Sequence, residues 1–203
     1  NRSTGELTLS TSPTISFIGA GNMASAIIGG MLDNGYKAGN IWVSAPDDAH
    51  LQTIRKRFGV SVTTDNRYCA QQADMVVLAV KPQVMADVCR DIAPVVQNTR
   101  PLMVSIAAGL TADTLDGWLG GGLPMVRVMP NTPSLVGKGA AGLFANKEVK
   151  DKQKKMVESV FESIGSALWV EDENLLHAVT ALSGSGPAYF FLMLVFNDTA
   201  TTE

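Results

Sequence analysis

The segment Thr14-Ile15-Ser16-Phe17-Ile18-Gly19-Ala20-Gly21-Asn22-Met23-Ala24 runs from a short apolar stretch, through a Gly-x-Gly-x-x-Ala turn, into small residues suited to a helix. Each small residue has a distinct physical task. Gly19 permits the tight turn, Gly21 lets backbone N–H groups approach a ligand with no Cβ in the way, and Ala24 lets the helix lie close to the strand. The N-terminus of that helix presents unpaired N–H groups and a partial positive charge. Strand, turn and helix together point to the pyrophosphate of a dinucleotide. The spacing alone is weak, but Ala24 to Leu32 follows without proline and with a mostly apolar face, which is the context the motif requires.

The rest of the chain repeats the alternation. Strands are expected at Ile15–Ile18, Ile41–Ser44, Val60–Val62, Met75–Val80, Leu102–Ile106, Met125–Met129 and Ala140–Ala145. Helices are expected from Ala24 to about Gly35, and over Ala49–Phe58 with Gly59 as its stop. Others follow at Asn66–Gln72, Met85–Ile92, Thr111–Leu119 and Lys150–Ile164. Met75-Val76-Val77-Leu78-Ala79-Val80 is apolar throughout, as a strand covered on both faces must be. The β-α-β-α order predicts an α/β fold, a doubly wound parallel sheet of Rossmann type. In such sheets ligands lie over the carboxyl ends of the strands. The segments that matter are therefore Gly19–Met23, Ser44–Pro46, Ala79–Pro82, Ala107–Gly109 and Met129–Thr132.

The 203 residues are 46% hydrophobic and 17% charged, enough for one domain and part of a second. Residues 1–13 read as a disordered leader, 14–170 as the dinucleotide-binding domain, and 171–203 as the start of an all-helical domain. The net charge of -3 offers no basic surface for nucleic acid or an anionic membrane. No apolar run is long enough for a confident membrane span. Cys69 and Cys89 lack metal or redox spacing and are expected as buried free thiols, which suits a reducing cytoplasmic compartment. No metal site is expected.

Within the predicted site, Ser44 stands where NAD-preferring folds place an acid that bonds the ribose hydroxyls. Its absence favours NADP(H), with Asp47 and Asp48 slightly further on. Arg55 and Arg57 read as surface charges. The Ala79–Pro82 loop is expected to touch the ligand mainly through backbone, with Lys81 at its edge. Asn66 reads, from spacing alone, as a helix N-cap. His50 and His177 read as isolated surface or packing residues. No nucleophile–base set is present, which agrees with hydride transfer: that chemistry needs proximity and a dry pocket rather than a nucleophile.

Beyond Val170, Glu171-Asp172-Glu173 is expected to open a helix with acids at its positive end. Ser183-Gly184-Ser185-Gly186-Pro187 interrupts it, and Ala188–Val195 continues as an apolar helix that needs partners on every side. A further helical region or a second subunit is expected to supply them, so a homo-oligomer, dimer or higher, is expected.

Five segments together resemble the pyrroline-5-carboxylate reductase family. They are Phe17–Met23, Ala79-Val80-Lys81-Pro82, Ser105-Ile106-Ala107-Ala108-Gly109, Met129-Pro130-Asn131-Thr132-Pro133 and Ala178–Tyr189. The last two are the more specific. The resemblance implies NAD(P)H-dependent reduction of the C=N bond of 1-pyrroline-5-carboxylate to L-proline, the last step of proline synthesis. NADPH is the expected cofactor and NADH a possible one. It further implies cofactor contacts from Ile18, Gly19, Ala20, Gly21, Asn22, Met23, Ser44, Ala45 and Asn66. Ala79, Val80, Lys81, Pro82, Ile106, Ala107 and Ala108 complete that set. Glu173 would meet the substrate, and Ser183, Gly184, Ser185, Gly186 and Pro187 would line its pocket. No proton donor is evident. The family's C-terminal helical region, with its Ser-Pro-Gly-Gly-Thr-Thr segment, is not recognisable in 197–203. The chain therefore reads as the cofactor domain plus the first helices. The alternatives are another NADP-dependent reductase of similar fold, such as one acting on hydroxy acids, or a cofactor-binding module without turnover.

Overall fold

The computed structural model describes residues 12–130 and 139–176. Strands β1 (Ile15–Ile18), β2 (Ile41–Ser44), β3 (Ser61–Thr63), β4 (Met75–Leu78), β5 (Leu102–Ser105) and β6 (Met125–Pro130) run parallel. With β7 (Gly139–Ala145) and β8 (Gly165–Trp169) they form one 8-stranded sheet in the order β3-β2-β1-β4-β5-β6-β7-β8. The reversal of strand order beside β1 is the topological switch point at which ligands of such sheets bind.

β7 runs antiparallel to β6. A parallel return needs a crossover of about a dozen residues or more, and the stretch 131–138 is too short for one. β8 then pairs parallel with β7 after helix α6 (Asp151–Phe161). The alternation of the sequence predicts no strand at β8, because Gly165-Ser166-Ala167-Leu168-Trp169 has neither an apolar run nor a period of two. Its pairing with β7 makes it a strand.

The helices divide between the two faces. α1 (Asn22–Asp33), α2 (Asp48–Phe58) and α6 cover one core built on Ile15, Phe17, Val43, Val77 and Val104. α3 (Asn66–Gln71), α4 (Pro82–Thr99) and α5 (Ala112–Trp118) cover the other, built on Ile18, Val76, Leu78, Met103 and Met125. Alternate residues of β1 thus enter opposite cores, as the strand pleat requires. β4 is buried at all four positions, as its apolar run predicts.

Three element bounds differ from expectation by more than two residues. α4 is longer than Met85–Ile92 and passes through Pro94. Its inner stripe of Met85, Cys89, Ile92 and Val96 keeps helical spacing across the proline, and burial of that stripe outweighs the lost backbone bond. α6 stops at Phe161, and a 3₁₀ turn takes Glu162–Ile164. The acids 171–173 do not open a helix. Residues 171–174 form turns, the Asp172 carboxylate accepts the Asn174 N–H at 2.9 Å, and helical structure begins at Leu175.

α1 lies unusually close to its neighbours. A Cβ on Gly30 would stand 2.6 Å from the Ser163 carbonyl oxygen, so this glycine is what allows α1 to meet the 3₁₀ turn before β8. Gly59 ends α2 at φ 72°, the left-handed stop expected of it.

Candidate functional site

The carboxyl ends of β1, β2, β4 and β5 are tied into one edge by backbone bonds. The Gly19 N–H donates to Ser44 O at 2.8 Å, the Ala79 N–H to Ile18 O at 2.8 Å, and the Ile106 N–H to Leu78 O at 3.2 Å. Three of the predicted loops are therefore fixed relative to the glycine turn before any ligand arrives.

The two glycines of that turn do different jobs. Gly19 has φ 110°, and a Cβ there would lie 2.5 Å from the Ala79 carbonyl oxygen. Close passage of the β4 loop requires a residue without a side chain. Gly21 has φ -75°, which any residue adopts, and a Cβ there would meet nothing within 4 Å. Among the described residues nothing demands glycine at 21, and the space beside it is open. Gly21 is also the N-cap of α1, with no side-chain cap and no acid in the first turn. Among the described residues, the first N–H groups of this 12-residue helix have neither an acceptor beyond the helix nor an acid in the first turn. Gly21 and Asn22 are exposed and Met23 half-buried, while Ile18, Gly19 and Ala20 are buried. A pyrophosphate suits this arrangement in charge, hydrogen bonding and space.

Ser44 is fully buried. Its carbonyl takes the Gly19 N–H, and its Oγ donates to Asn66 Oδ1 at 2.8 Å. The missing acid at the end of β2 is therefore replaced by a hydroxyl turned inward onto α3. Asn66 is not an N-cap, contrary to the reading from spacing. Asp65 caps α3, accepting the Arg67 and Tyr68 N–H groups at 2.9 and 3.0 Å, which leaves the Asn66 side chain for Ser44. Asp47 is likewise spent as the N-cap of α2, accepting the His50 N–H at 3.1 Å. Arg55 and Arg57 lie in the last turn of α2, away from its start, and Arg57 stacks on Phe58 at 4.7 Å. They remain surface charges.

The Ala79–Pro82 loop leads into α4 with Lys81 as N-cap and Pro82 at its first position. Lys81 and Pro82 are exposed, whereas Ala79 and Val80 are half-buried. After β5, Ser105 accepts the Ala107 N–H at 3.3 Å and tightens the turn holding Ile106, Ala107 and Ala108.

Two residues gain roles that spacing did not suggest. His50 is not isolated: its Nε2 lies 2.8 Å from the Ala20 carbonyl oxygen in the glycine turn. Arg127 on β6 is only 1% exposed, and its Nη1 donates to Glu173 Oε1 at 2.9 Å. The same oxygen accepts the Ala112 N–H at 2.7 Å, at the start of α5. Among the described residues, Nε and Nη2 of Arg127 have no hydrogen-bond partner. A lone arginine inside the apolar run Met125-Val126-Arg127-Val128-Met129 was the available signal. Ser183, Gly184, Ser185, Gly186, Pro187 and His177 lie outside the described residues. Among the described residues there is no group of three or more His, Cys, Asp or Glu placed to hold a metal ion, and no helix long and apolar enough to cross a membrane.

The family model described as "NADP oxidoreductase coenzyme F420-dependent" matches residues 14–109. The solved structure of a pyrroline-5-carboxylate reductase from Coxiella burnetii is 42% identical in sequence. It superposes with a TM-score of 0.84 over 94% of this chain and 70% of its own. The chain belongs to the pyrroline-5-carboxylate reductase family. The reductase of Vibrio alginolyticus is 47% identical over 180 residues, which are 89% of this chain and 66% of that protein. A Plasmodium falciparum pyrroline carboxylate reductase, solved with NADP bound, is 32% identical with a TM-score of 0.74 over 89% of this chain and 66% of its own. The chain spans about two thirds of the length of the curated reductases it matches. Membership accounts for the sheet order, the glycine turn and an NAD(P)H-type cofactor.

Proposed function

We propose that this chain carries out, or forms the cofactor half of, the NAD(P)H-dependent reduction of 1-pyrroline-5-carboxylate to L-proline, the last step of proline synthesis. The carrying observation is the uncapped N-terminus of α1 beside the open space at Gly21, in a chain of this reductase family. Bound NADPH would supply a hydride to the C=N carbon.

The protein's own part is binding, orientation and exclusion of water. Gly21, Asn22 and Met23 present helix-end N–H groups to the pyrophosphate. Gly19 and Ala20 shape the turn, and Ile18 seats it on the sheet. Ala45 and the pair of buried Ser44 with half-buried Asn66 form the floor at the ribose end, with no acid at the end of β2 to repel a 2′-phosphate; NADPH is therefore the preferred form. Ala79, Val80, Lys81 and Pro82 border the cofactor on the β4 side, and Ile106, Ala107 and Ala108 on the β5 side. Glu173 and the segment 183–187 serve the substrate. The dinucleotide domain covers 14–170, the segment from 171 on belongs to the helical domain, and the protein works as a homo-oligomer, dimer or higher. The free, buried Cys69 and Cys89 suit a cytoplasmic setting.

The test is NADPH oxidation, followed by absorbance, on adding 1-pyrroline-5-carboxylate to this chain, beside a direct NADPH titration. Turnover supports the full reading. Binding without turnover supports the cofactor half alone. Absence of both, in a chain shown to be folded, overturns the assignment of the glycine turn.

A further inference from the structure

The Ala20–Gly21 peptide is the point at which the glycine turn leaves the sheet. On its near side the chain is pinned, because the Gly19 N–H is held by Ser44 and the Ile18 carbonyl by Ala79. On its far side α1 begins. Between them, the Ala20 carbonyl meets the His50 ring, with Nε2 2.8 Å away. A carbonyl oxygen only accepts, so Nε2 carries the proton and is the donor.

His50 is well placed to hold that peptide. It lies in the first turn of α2, and its own N–H is fixed by the capping carboxylate of Asp47. Its backbone is thus anchored to the end of β2 while its ring crosses to the end of β1. The peptide is trans, so its C=O and N–H point in opposite directions. With the Ala20 C=O turned toward α2, the Gly21 N–H must face away from α2. Gly21 is the uncapped N-cap of α1, bordered by open space.

We propose that His50 is a positioning residue for the dinucleotide site: its Nε2–H fixes the Ala20–Gly21 peptide so that the Gly21 N–H faces the pyrophosphate. This rests on the cofactor reading above. His50 acts through the Ala20 carbonyl and does not itself touch the ligand. The hydrogen bond is part-buried and the His50 side chain belongs to neither core, so its loss falls on the orientation of one peptide.

The experiment is a fluorescence titration of NADPH into the chain carrying the native residue, His50→Leu or His50→Gln, with the ligand-free Tm of each. Leucine keeps the bulk and removes the donor; glutamine offers a donor nitrogen at a similar reach. The expected result is NADPH affinity about tenfold weaker in His50→Leu, the scale of one hydrogen bond of about 1.4 kcal/mol. His50→Gln recovers most of it, and the three ligand-free Tm values agree closely. Equal affinity in His50→Leu overturns the proposal while leaving the cofactor reading intact. So does a weakened His50→Gln, or a loss of affinity that merely follows a fall in ligand-free Tm. Failure of the native chain to bind NADPH overturns the cofactor reading and the proposal with it.

Discussion

Glu173 holds Arg127 by a single carboxylate oxygen, 2.9 Å from Nη1, and that oxygen also takes the Ala112 N–H. One atom thus ties the segment beyond β8 to β6 and to the start of α5. Arg127 is 1% exposed and Glu173's side chain 21%, so the guanidinium has lost nearly all contact with water. Removing one partner of such a pair leaves an uncompensated buried charge, which costs about 3–5 kcal/mol. Glu173→Gln is therefore expected to lower unfolding free energy on that scale in urea titrations. Arg127→Met combined with Glu173→Leu is expected to recover most of the loss. If Glu173 serves chiefly the substrate, Glu173→Gln will instead raise KM for the pyrroline and leave the urea midpoint unchanged.

The contrast between Gly19 and Gly21 separates folding from binding. Gly19→Ala places a Cβ against the Ala79 carbonyl at a φ that L side chains rarely adopt. Overpacking of this kind costs about 1–3 kcal/mol, with backbone strain added to it. A lower Tm and weakened NADPH binding are expected together. Gly21→Ala meets no protein atom and keeps an allowed φ, so its stability cost should stay near that of a poorer N-cap, about 1 kcal/mol. Its Cβ would enter the space assigned to the pyrophosphate, so NADPH affinity should fall by far more than stability. Calorimetry beside an NADPH titration checks both. Undiminished NADPH binding by Gly21→Ala would move the phosphates elsewhere.

Ser44→Ala leaves Asn66 Oδ1 without its donor and costs about 1 kcal/mol. Ser44→Asp, the substitution that motif reasoning suggests for turning the site toward NADH, is expected to fail. The position is fully buried against α3, and a carboxylate there would be desolvated. The expected outcome is an unstable protein with no gain in NADH affinity over NADPH, read from paired titrations. A stable Ser44→Asp protein that prefers NADH would show that the side chain turns to the ribose after all.

The glycine turn, β4 and the Gly59 stop were legible in the sequence because each depends on local chemistry: a special φ, the apolar run Met75–Val80, a left-handed cap. The extension of α4 through Pro94 was not, because a tertiary stripe from Met85 to Val96 decides it. β8 was not, because only its partner β7 makes it a strand. The loops after β1, β2, β4 and β5 follow their strands where the alternation put them, while the side-chain pairings were missed. Ser44 with Asn66, His50 with Ala20 and Arg127 with Glu173 join residues far apart in sequence, and no periodicity encodes such pairs.

Alkaline pH should destabilise this chain through two buried thiols and the half-buried Tyr36 hydroxyl. Burial pushes the Cys69 thiol up to about 11, against which hydrogen bonds to Ser44 and Ser16 act only weakly. Burial pushes Cys89 up to about 12, and burial with the nearby Asp74 carboxylate pushes Tyr36, which donates to the Pro13 carbonyl, up to about 12. Each is an acid whose folded pKa exceeds its unfolded one. Above the unfolded pKa the unfolded chain holds fewer protons than the native one, so stability falls as pH rises. The contribution is complete below about pH 8.5, declines through the folded values, and is lost above them. Urea midpoints measured from pH 7 to 11 should therefore be flat at first and then drop. Cys89→Ala should flatten part of the drop while lowering stability at pH 7 through the small cavity it leaves. The neutral thiols should also resist labelling by a thiol reagent at pH 8 until urea is added. Rapid labelling of the native chain would show that the cysteines are accessible and remove their share of the alkaline slope.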